Sequence, residues 1–264
     1  MSVRSPNLSV FLFVPGSRPD RFAKAASSGA DAVIIDLEDA VPEREKDRAR
    51  AALSVDFGGV PVFIRVNGVG TPWHEQDMMA VKALPFAGLI LPKAELGSHL
   101  IDILNISDIP VLPLIESAKG LSAAREIACL PNVARLLFGS IDFSADLGCA
   151  HTRDSLLGAR AELVLASRLG GLPSPVDGVT TAIHDKEVVR MDTIYARELG
   201  FGGKLAIHPA QIGAIRQGFY PDQNEIEWAN EVLAGGDGAI NINGNMVDEP
   251  LRVKARAILG RASR

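Results

Sequence analysis

Four apolar runs of this chain end in charged residues, and two of those residues form a candidate metal site. Glu116 follows Leu112–Ile115, and Asp142 closes the run Leu136–Ile141. Mg²⁺ often takes one or two carboxylates and leaves its other positions to water and substrate. If the two runs are neighbouring parallel strands, both carboxylates open onto one face, and Mg²⁺ (or Mn²⁺ as the alternative ion) fits between them. For either residue alone, a helix cap or an ion pair with an arginine is the better explanation.

The other two runs end in Arg65 and in an acidic cluster formed by Asp36, Glu38 and Asp39. A guanidinium at a strand end can hold a substrate carboxylate through two parallel hydrogen bonds. A structural ion pair with Asp36 or Glu38 is the alternative, and the two roles are compatible. Three neighbouring acids need a cation or full solvation. We therefore place Asp36 and Glu38 behind the metal ligands, holding metal-bound water, whereas Asp39 fits a helix cap equally well.

Basic residues follow the first apolar run. Arg18, Arg21 and Lys24 lie near the start of a predicted helix, where backbone N–H groups attract anions. This arrangement is a modest indication of a phosphate-bearing substrate. Solvated surface charges are the commoner explanation of such residues.

Four further candidates lie elsewhere in the chain. His208 is a possible general base, although a single histidine is more often a hydrogen-bonded structural residue. Lys93 and Lys204 are candidates for a Schiff base, but the sequence gives neither a partner that would lower its pKa. Asp248, two positions before Pro250, is well placed as the N-cap of a terminal helix, and from the residues alone this role is favoured.

Eight short aliphatic runs recur along the chain, and most are continuous rather than alternating. Continuous runs are typical of parallel strands that are covered on both faces. Together with the helical stretches between them they predict an α/β fold, a (β/α)₈ TIM barrel. An open doubly wound sheet is the alternative, but its glycine-rich first turn is absent. The predicted strands are Val10–Val14, Ala32–Leu37, Pro61–Val66, Gly88–Pro92, Val111–Ile115, Arg135–Gly139, Ser174–Val179 and Lys204–Ile207.

Two helices illustrate the stop signals between these strands. One is predicted over Ser155–Leu169 with Asp154 as its N-cap, and another over Thr193–Leu199, ending at Gly200. The barrel pattern ends near residue 219. We predict a catalytic barrel over residues 1–220 and a C-terminal helical lid over 221–264.

The composition excludes several classes of function. The 264 residues carry a net charge of −5, which argues against non-specific binding to nucleic acid. No apolar stretch approaches the roughly 20 residues that span a bilayer, and the first apolar run is too short for a signal peptide. Two cysteines without a metal-type spacing indicate reduced thiols. We expect a cytoplasmic protein that binds neither nucleic acid nor membrane.

Seven ordered blocks of this sequence resemble the citrate lyase beta-subunit-like group of the HpcH/HpaI aldolase superfamily. They fall on the predicted strand ends and cover nearly the full length, which makes the match specific. The blocks are Leu12–Pro19, Asp36–Val41, Arg65–Asn67, Leu91–Lys93, Ile115–Ser117, Phe138–Phe143 and Lys204–Pro209.

The resemblance implies roles for several residues. It implies Mg²⁺ at Glu116 and Asp142, a substrate carboxylate held by Arg65, and CoA phosphates near the basic residues after the first strand. Met246–Pro250 matches a Met-x-Asp-x-Pro segment of a C-terminal lid, which in relatives covers a neighbouring subunit's site. The resemblance thus makes Asp248 a catalytic candidate, and it implies a homotrimer or a multiple of one.

The activity implied by the resemblance is a carbon–carbon lyase. It would cleave or form a 3-hydroxy-3-carboxyacyl-CoA thioester, such as citramalyl-CoA or malyl-CoA, with a 2-oxo acid and acetyl-CoA as products. Two alternatives stay open. One is the beta subunit of a citrate lyase complex acting on a carrier-protein thioester, and the other is a CoA-independent pyruvate or oxaloacetate aldolase. The sequence does not distinguish between the possible acyl groups of the substrate.

Overall fold

Eight parallel strands close into a barrel in the order of the sequence. The computed structural model describes residues 8–236, 240–242 and 245–262. The strands are β1 (Val10–Pro15), β2 (Ala32–Asp36), β3 (Val62–Arg65), β4 (Gly88–Leu91), β5 (Val111–Ile115), β6 (Leu137–Phe138), β7 (Val176–Asp177) and β8 (Gly203–Ala206). Because β1 pairs with both β2 and β8, the sheet has no free edge. The predicted (β/α)₈ barrel is confirmed, and each predicted run contains or overlaps one strand.

Helices follow the strands and cover the outside of the barrel. They are α1 (Phe22–Ala26), α2 (Lys46–Ala51), α3 (His74–Lys82), α4 (Ser98–Ile106), α5 (Ala118–Ser122), α6 (Ala124–Ala128), α7 (Ser140–Leu147), α8 (Arg153–Leu169), α9 (Lys186–Leu199), α10 (Ile212–Phe219), α11 (Gln223–Ala234) and α12 (Glu249–Ala262). A short hairpin of β9 (Ile240–Ile242) and β10 (Asn245–Val247) precedes α12. Within the described ranges, no helix combines the length and apolar character needed to cross a membrane.

Two predicted helix starts are wrong. The N-cap of α8 is Thr152, whose side chain accepts a hydrogen bond from the backbone N–H of Ser155, so the predicted cap Asp154 lies inside the first turn. Helix α9 begins at Lys186, seven residues before the predicted start, with Asp185 as its N-cap. Carboxylate and hydroxyl side chains cap helices about equally well. Residue type therefore does not show at which of several nearby polar residues a helix begins. Gly200 ends α9 in the left-handed conformation, as predicted.

Apolar side chains form two layers around the strands. One cluster draws almost entirely on strand residues such as Phe11, Ile34, Phe63 and Leu114, and it fills the barrel interior. The larger cluster mixes the alternate strand positions with helix residues, and it lies between strands and helices. Successive side chains of a strand point to opposite faces. A polar residue two positions beyond an inward apolar residue therefore points into the barrel mouth.

The two C-terminal helices have an apolar cluster of their own. Ala229 and Val232 of α11 pack with Val247, Ala255 and Ile258, apart from the barrel core. This C-terminal pair is linked to the barrel through an ion pair and a hydrogen bond. Arg197 of α9 lies 2.9 Å from Glu225, and the Tyr220 hydroxyl donates to the Ala262 carbonyl. The boundary near residue 220 stays a prediction.

Candidate active site

A cavity of about 480 Å³ opens at the carboxyl ends of the strands. Four of the predicted site residues line it: Asp36, Arg65, Glu116 and Asp142. The first three follow inward apolar residues of β2, β3 and β5 by two positions, and Asp142 lies in the first turn of α7. Strand alternation thus brings together residues that are distant in sequence.

Arg65 is held in a fixed plane by Asp36. Its Nε and Nη2 each donate to one Asp36 oxygen at 2.7 Å, and its guanidinium lies over the Phe13 ring, 4.8 Å from the centroid. Burial alone would raise the pKa of Asp36, but the charge and hydrogen bonds of Arg65 outweigh it and lower that pKa. The pKa of Arg65 is raised in turn, since the carboxylates outweigh its desolvation. The pair is therefore ionised at every physiological pH.

Glu38 lies between Arg65 and Lys93. Its Oε1 accepts a hydrogen bond from the Lys93 ammonium at 2.7 Å. Its buried Oε2 lies 3.1 Å from Nη1 of Arg65, an ion pair without hydrogen-bond geometry. Burial raises the pKa of Glu38 despite the opposing charge of Arg65. Nη1 of Arg65 also reaches Asp39 at 3.3 Å, which leaves this nitrogen facing carboxylates at the cavity.

Glu116 has a strongly perturbed carboxyl group. Its Oε1 accepts the backbone N–H of Lys93 at 2.6 Å, while its Oε2 faces Gly139, where any Cβ would collide with it. Burial, then the nearby charges of Glu38 and Asp142, raise the pKa of Glu116 to about 8. A bound cation would reduce the repulsion between these crowded carboxylates and favour their ionised forms.

Six residues make up what we call the site cluster. They are Asp36, Glu38, Arg65, Lys93, Glu116 and Asp142. The cluster sets four carboxylates against two cations. Among the described residues, no three or more His, Cys, Asp or Glu side chains are arranged to hold a metal ion. The donor set of Glu116 and Asp142 fits an ion that needs only one or two carboxylates, as Mg²⁺ does.

A second cavity, of about 460 Å³, adjoins the first. It shares Phe13, Pro15 and Ile207 with the first cavity, and the predicted basic residues Arg18, Arg21 and Lys24 line it. Arg18 is exposed and already holds Asp20 through two hydrogen bonds of 2.9 and 2.7 Å. This second cavity thus forms a partly basic extension of the site cavity.

The lysine and histidine candidates have structural partners. Lys204 lies outside the barrel, where its ammonium donates to Asp177 at 2.9 Å and to the Gly178 carbonyl at 2.7 Å. Glu38 outweighs desolvation and raises the pKa of Lys93, which favours the charged form over a Schiff-base nucleophile. Nδ1 of His208 accepts the N–H of Ala210 and caps a short 3₁₀ turn.

Asp248 lines neither of the two cavities of its own chain. It stands between β10 and α12, where its carbonyl accepts the N–H of Arg252 at 3.1 Å. Of the residues that the structure describes, those lining the two cavities end at Pro209. The structure therefore brings the barrel residues together but leaves Asp248 outside this group.

A buried lysine supports the site from behind, and the sequence analysis missed it. The ammonium of Lys46 donates to the carbonyls of Leu37 and Glu38 at 2.7 and 2.8 Å and to the side chain of Asn67. Asn67 in turn donates to Asp77. This network joins the segment after β2 to the segment after β3. The charge-rich sequence around Lys46 is typical of a solvated helix, so no local signal distinguishes it.

Comparisons with known proteins find relatives that match most of the chain. Residues 9–209 match the model of the HpcH/HpaI aldolase/citrate lyase family. A citrate lyase subunit beta-like protein of Deinococcus radiodurans is 37% identical, over 94% of this chain and 95% of the relative. A (3S)-malyl-CoA thioesterase of Cereibacter sphaeroides is 35% identical, over 95% and 93%.

Solved structures also resemble most of the chain. The CitE protein of Mycobacterium tuberculosis in complex with magnesium, acetoacetate and coenzyme A superimposes with a TM-score of 0.89 at 33% identity, covering 98% of this chain and all of that one. A citrate lyase beta subunit from M. tuberculosis, complexed with oxaloacetate and magnesium, gives a TM-score of 0.75 at 33% identity, covering 84% of this chain and all of that one.

Proposed function

Because this chain belongs to the HpcH/HpaI aldolase/citrate lyase family, and is an enzyme of that lyase class, we propose that it is a Mg²⁺-dependent lyase of CoA thioesters. It would cleave or form the carbon–carbon bond of a 3-hydroxy-3-carboxyacyl-CoA such as citramalyl-CoA or malyl-CoA. The products are a 2-oxo acid and acetyl-CoA. The observation that carries the proposal is the crowding of carboxylates around Glu116, in a cavity that adjoins a basic one.

Glu116 and Asp142 would hold the metal ion. Bound Mg²⁺ supplies Lewis-acid polarisation of the oxygen that becomes the ketone of the oxo acid. Glu38 lies beside Glu116, where it would orient water around the ion. The related structures that contain magnesium with oxaloacetate or acetoacetate support this assignment. Mn²⁺ has the same preference for carboxylate oxygens and is the alternative ion.

Arg65 would hold the substrate carboxylate. Asp36 takes its Nε and Nη2, so the guanidinium plane is set before the substrate arrives and only the Nη1 side is available. That nitrogen already faces carboxylates, and a substrate carboxylate would compete with Asp39 for it. Preorientation of this kind lowers the entropic cost of reaching a reactive geometry.

The basic cavity would receive the phosphates of CoA. A thioester whose acyl group reaches Glu116 can extend past Phe13 and Ile207 into the second cavity. Arg21 and Lys24 are the stronger candidates for phosphate contacts, because Arg18 is engaged by Asp20. The related structure with bound coenzyme A supports a site for this ligand.

Asp248 would transfer the proton to the thioester enolate in a neighbouring subunit. The residues lining this chain's cavities end at Pro209, and the C-terminal helices bury their apolar faces on each other rather than on the barrel. A lid of this kind, supplied by another copy, would exclude water from the enolate. This role requires an oligomer, and we propose a homotrimer.

The test is 2-oxo-acid release from a panel of citramalyl-, malyl- and citryl-CoA, with Mg²⁺ and with EDTA. We expect metal-dependent release of pyruvate, glyoxylate or oxaloacetate, which would also identify the acyl group. Free thiol measured in parallel separates cleavage from hydrolysis, which the similarity to a malyl-CoA thioesterase makes necessary. Thiol release without oxo acid would contradict the lyase proposal. Absence of activity on all CoA esters, together with activity on a carrier-protein thioester, would indicate a citrate lyase beta subunit instead.

A further inference from the structure

Lys93 has an unusual backbone conformation directly after β4. Its φ of 50° lies in the left-handed region, and Asn132 is the other non-glycine residue with positive φ in the described part of the chain. Asparagine tolerates this region, but lysine rarely adopts it. Strain of this kind persists only where surrounding contacts enforce it, and it is common at functional sites.

The left-handed turn at Lys93 places its peptide N–H on a metal-site carboxylate. The N–H donates to Oε1 of Glu116 at 2.6 Å. The next residue, Ala94, donates its N–H to the Leu114 carbonyl at 3.1 Å, so this segment stays paired with β5 beyond the end of β4. The backbone of Lys93 is therefore held between two strands while it fixes one oxygen of Glu116.

The side chain of Lys93 holds the second carboxylate. Its ammonium donates to Oε1 of Glu38 at 2.7 Å, while the side chain remains 54% exposed. Lys93 does not line the cavity itself. It thus contacts Glu116 through its backbone and Glu38 through its side chain, and no other residue described above touches both.

We propose that Lys93 is the positioning residue of the two carboxylates, with a backbone contribution and a charge contribution that act in opposite directions on Mg²⁺ affinity. This inference rests on the proposed metal site. The N–H orients Glu116 and so strengthens metal binding. The ammonium neutralises Glu38 and places a positive charge near the ion, which weakens metal binding and favours an anionic substrate.

Two substitutions separate these contributions. Lys93→Asn keeps the left-handed backbone and removes the ammonium, whereas Lys93→Val removes the ammonium and disfavours the left-handed backbone, because a β-branched residue rarely adopts it. Lys93→Ala is a milder backbone variant for the case that the valine variant does not fold. Asn132→Val is the matched control, since it strains the other left-handed position, away from the carboxylates.

The measurement is Mg²⁺ affinity of the substrate-free protein by isothermal titration calorimetry, with thermal melts to confirm folding. We expect Lys93→Asn to bind Mg²⁺ about tenfold more tightly than the native protein. We expect Lys93→Val, or Lys93→Ala in its place, to bind it at least about tenfold more weakly than Lys93→Asn, the size of effect that residues supporting metal ligands show. The control should melt earlier and bind Mg²⁺ normally.

Equal affinities of the native protein and both Lys93 variants would overturn the inference and leave the metal site standing. Weaker binding by Lys93→Asn would also overturn it, because the ammonium would then support the metal site instead of opposing it. Absence of Mg²⁺ binding to the native protein would instead overturn the proposed metal site, and this inference with it. The three failures are therefore distinguishable.

Discussion

Two charge clusters, one partly exposed and one buried, occupy the same barrel with opposite charge balance. The site cluster in the barrel mouth sets four carboxylates against two cations. A second group, which we call the outer cluster, consists of Arg160, Asp177 and Lys204 and lies between β7, β8 and α8. There one carboxylate holds two cations at 2.9 Å each. The outer cluster closes its ion pairs within the chain, whereas the site cluster retains an excess of negative charge.

Strand alternation accounts for the difference between the clusters. Asp177 and Lys204 occupy outward positions of their strands, and the neighbouring residues Val176 and Leu205 point inward. Glu116 occupies an inward position, two residues after Leu114. A shift of one residue along a strand thus decides whether a buried charge joins the catalytic face or the packing behind it.

Removing a metal carboxylate should have the largest effect. We expect Glu116→Gln to lower metal-dependent turnover about a thousandfold, since metal polarisation contributes several kcal/mol to the barrier. Unfolding in urea should show equal or greater stability, because an ionisable group with a raised pKa is gone. The steady-state assay and the urea curve together check this. Glu95→Gln, a partly exposed control in the adjacent loop, should leave turnover unchanged, and lost stability in Glu116→Gln would contradict the assigned charge imbalance.

Breaking the outer cluster should act on stability instead. Asp177→Asn leaves two buried cations without a carboxylate, which costs about 3–5 kcal/mol of unfolding free energy. Mg²⁺ affinity of the folded protein should be unchanged. Asp192→Asn is the control, because its partly exposed pair with Arg153 is worth at most about 1 kcal/mol. Weakened Mg²⁺ binding in Asp177→Asn would show that the two clusters are coupled.

The site cluster has no carboxylate left for proton transfer, because each one is paired with a cation or assigned to the metal. Asp248→Asn should therefore lower turnover at least about a hundredfold, within the usual contribution of a general acid or base. Asparagine caps helices as well as aspartate does, so melting temperature and Mg²⁺ affinity should stay unchanged. Near-normal turnover would return Asp248 to a role at the start of α12. Mixing this variant with Glu116→Gln should restore part of the activity if the lid acts on a neighbouring subunit.

The last expected effect is on the pH dependence of stability, where Glu116 and Asp177 should act in different pH ranges. Glu116 ionises near its ordinary pKa of 4.5 in the unfolded chain and near 8 in the folded one, so the metal-free protein loses stability as pH rises between these values. We expect its melting temperature to be lower at pH 8 than at pH 5, as measured by thermal melts of the metal-free protein. The lowered pKa of Asp177 places its contribution on the acid side, where stability is lost as pH falls below about 4. Glu116→Gln should remove the loss of stability between pH 4.5 and 8, and Asp177→Asn should reduce the loss at acid pH, to which the lowered pKa of Asp36 also contributes.

Most of the barrel could be predicted because continuous apolar runs mark parallel strands. The inward carboxylates could be placed as well, since they end those runs. The ion pairs of Arg65 with Asp36 and Glu38 were among the predictions, and the structure confirms them. Most other charge partners could not be predicted, because pairing depends on strand register and on the direction of each side chain. Lys46 is an example: its acceptors are two carbonyls and an amide far along the chain. The left-handed turn at Lys93 also leaves no mark in the residue types.

The barrel can close only after its eighth strand has been synthesised. Val10 pairs with Lys204 and Leu12 with Ala206. One edge of β1, the first barrel strand to be synthesised, therefore stays unpaired until β8 has been synthesised. Until then β1 and β7 present open edges, and unpaired edges recruit other strands. Contacts so distant in sequence also slow folding and prolong the exposure of aggregation-prone intermediates. Chains that terminate before residue 203 should therefore accumulate as aggregates rather than as shortened barrels, because the sheet cannot close without β8.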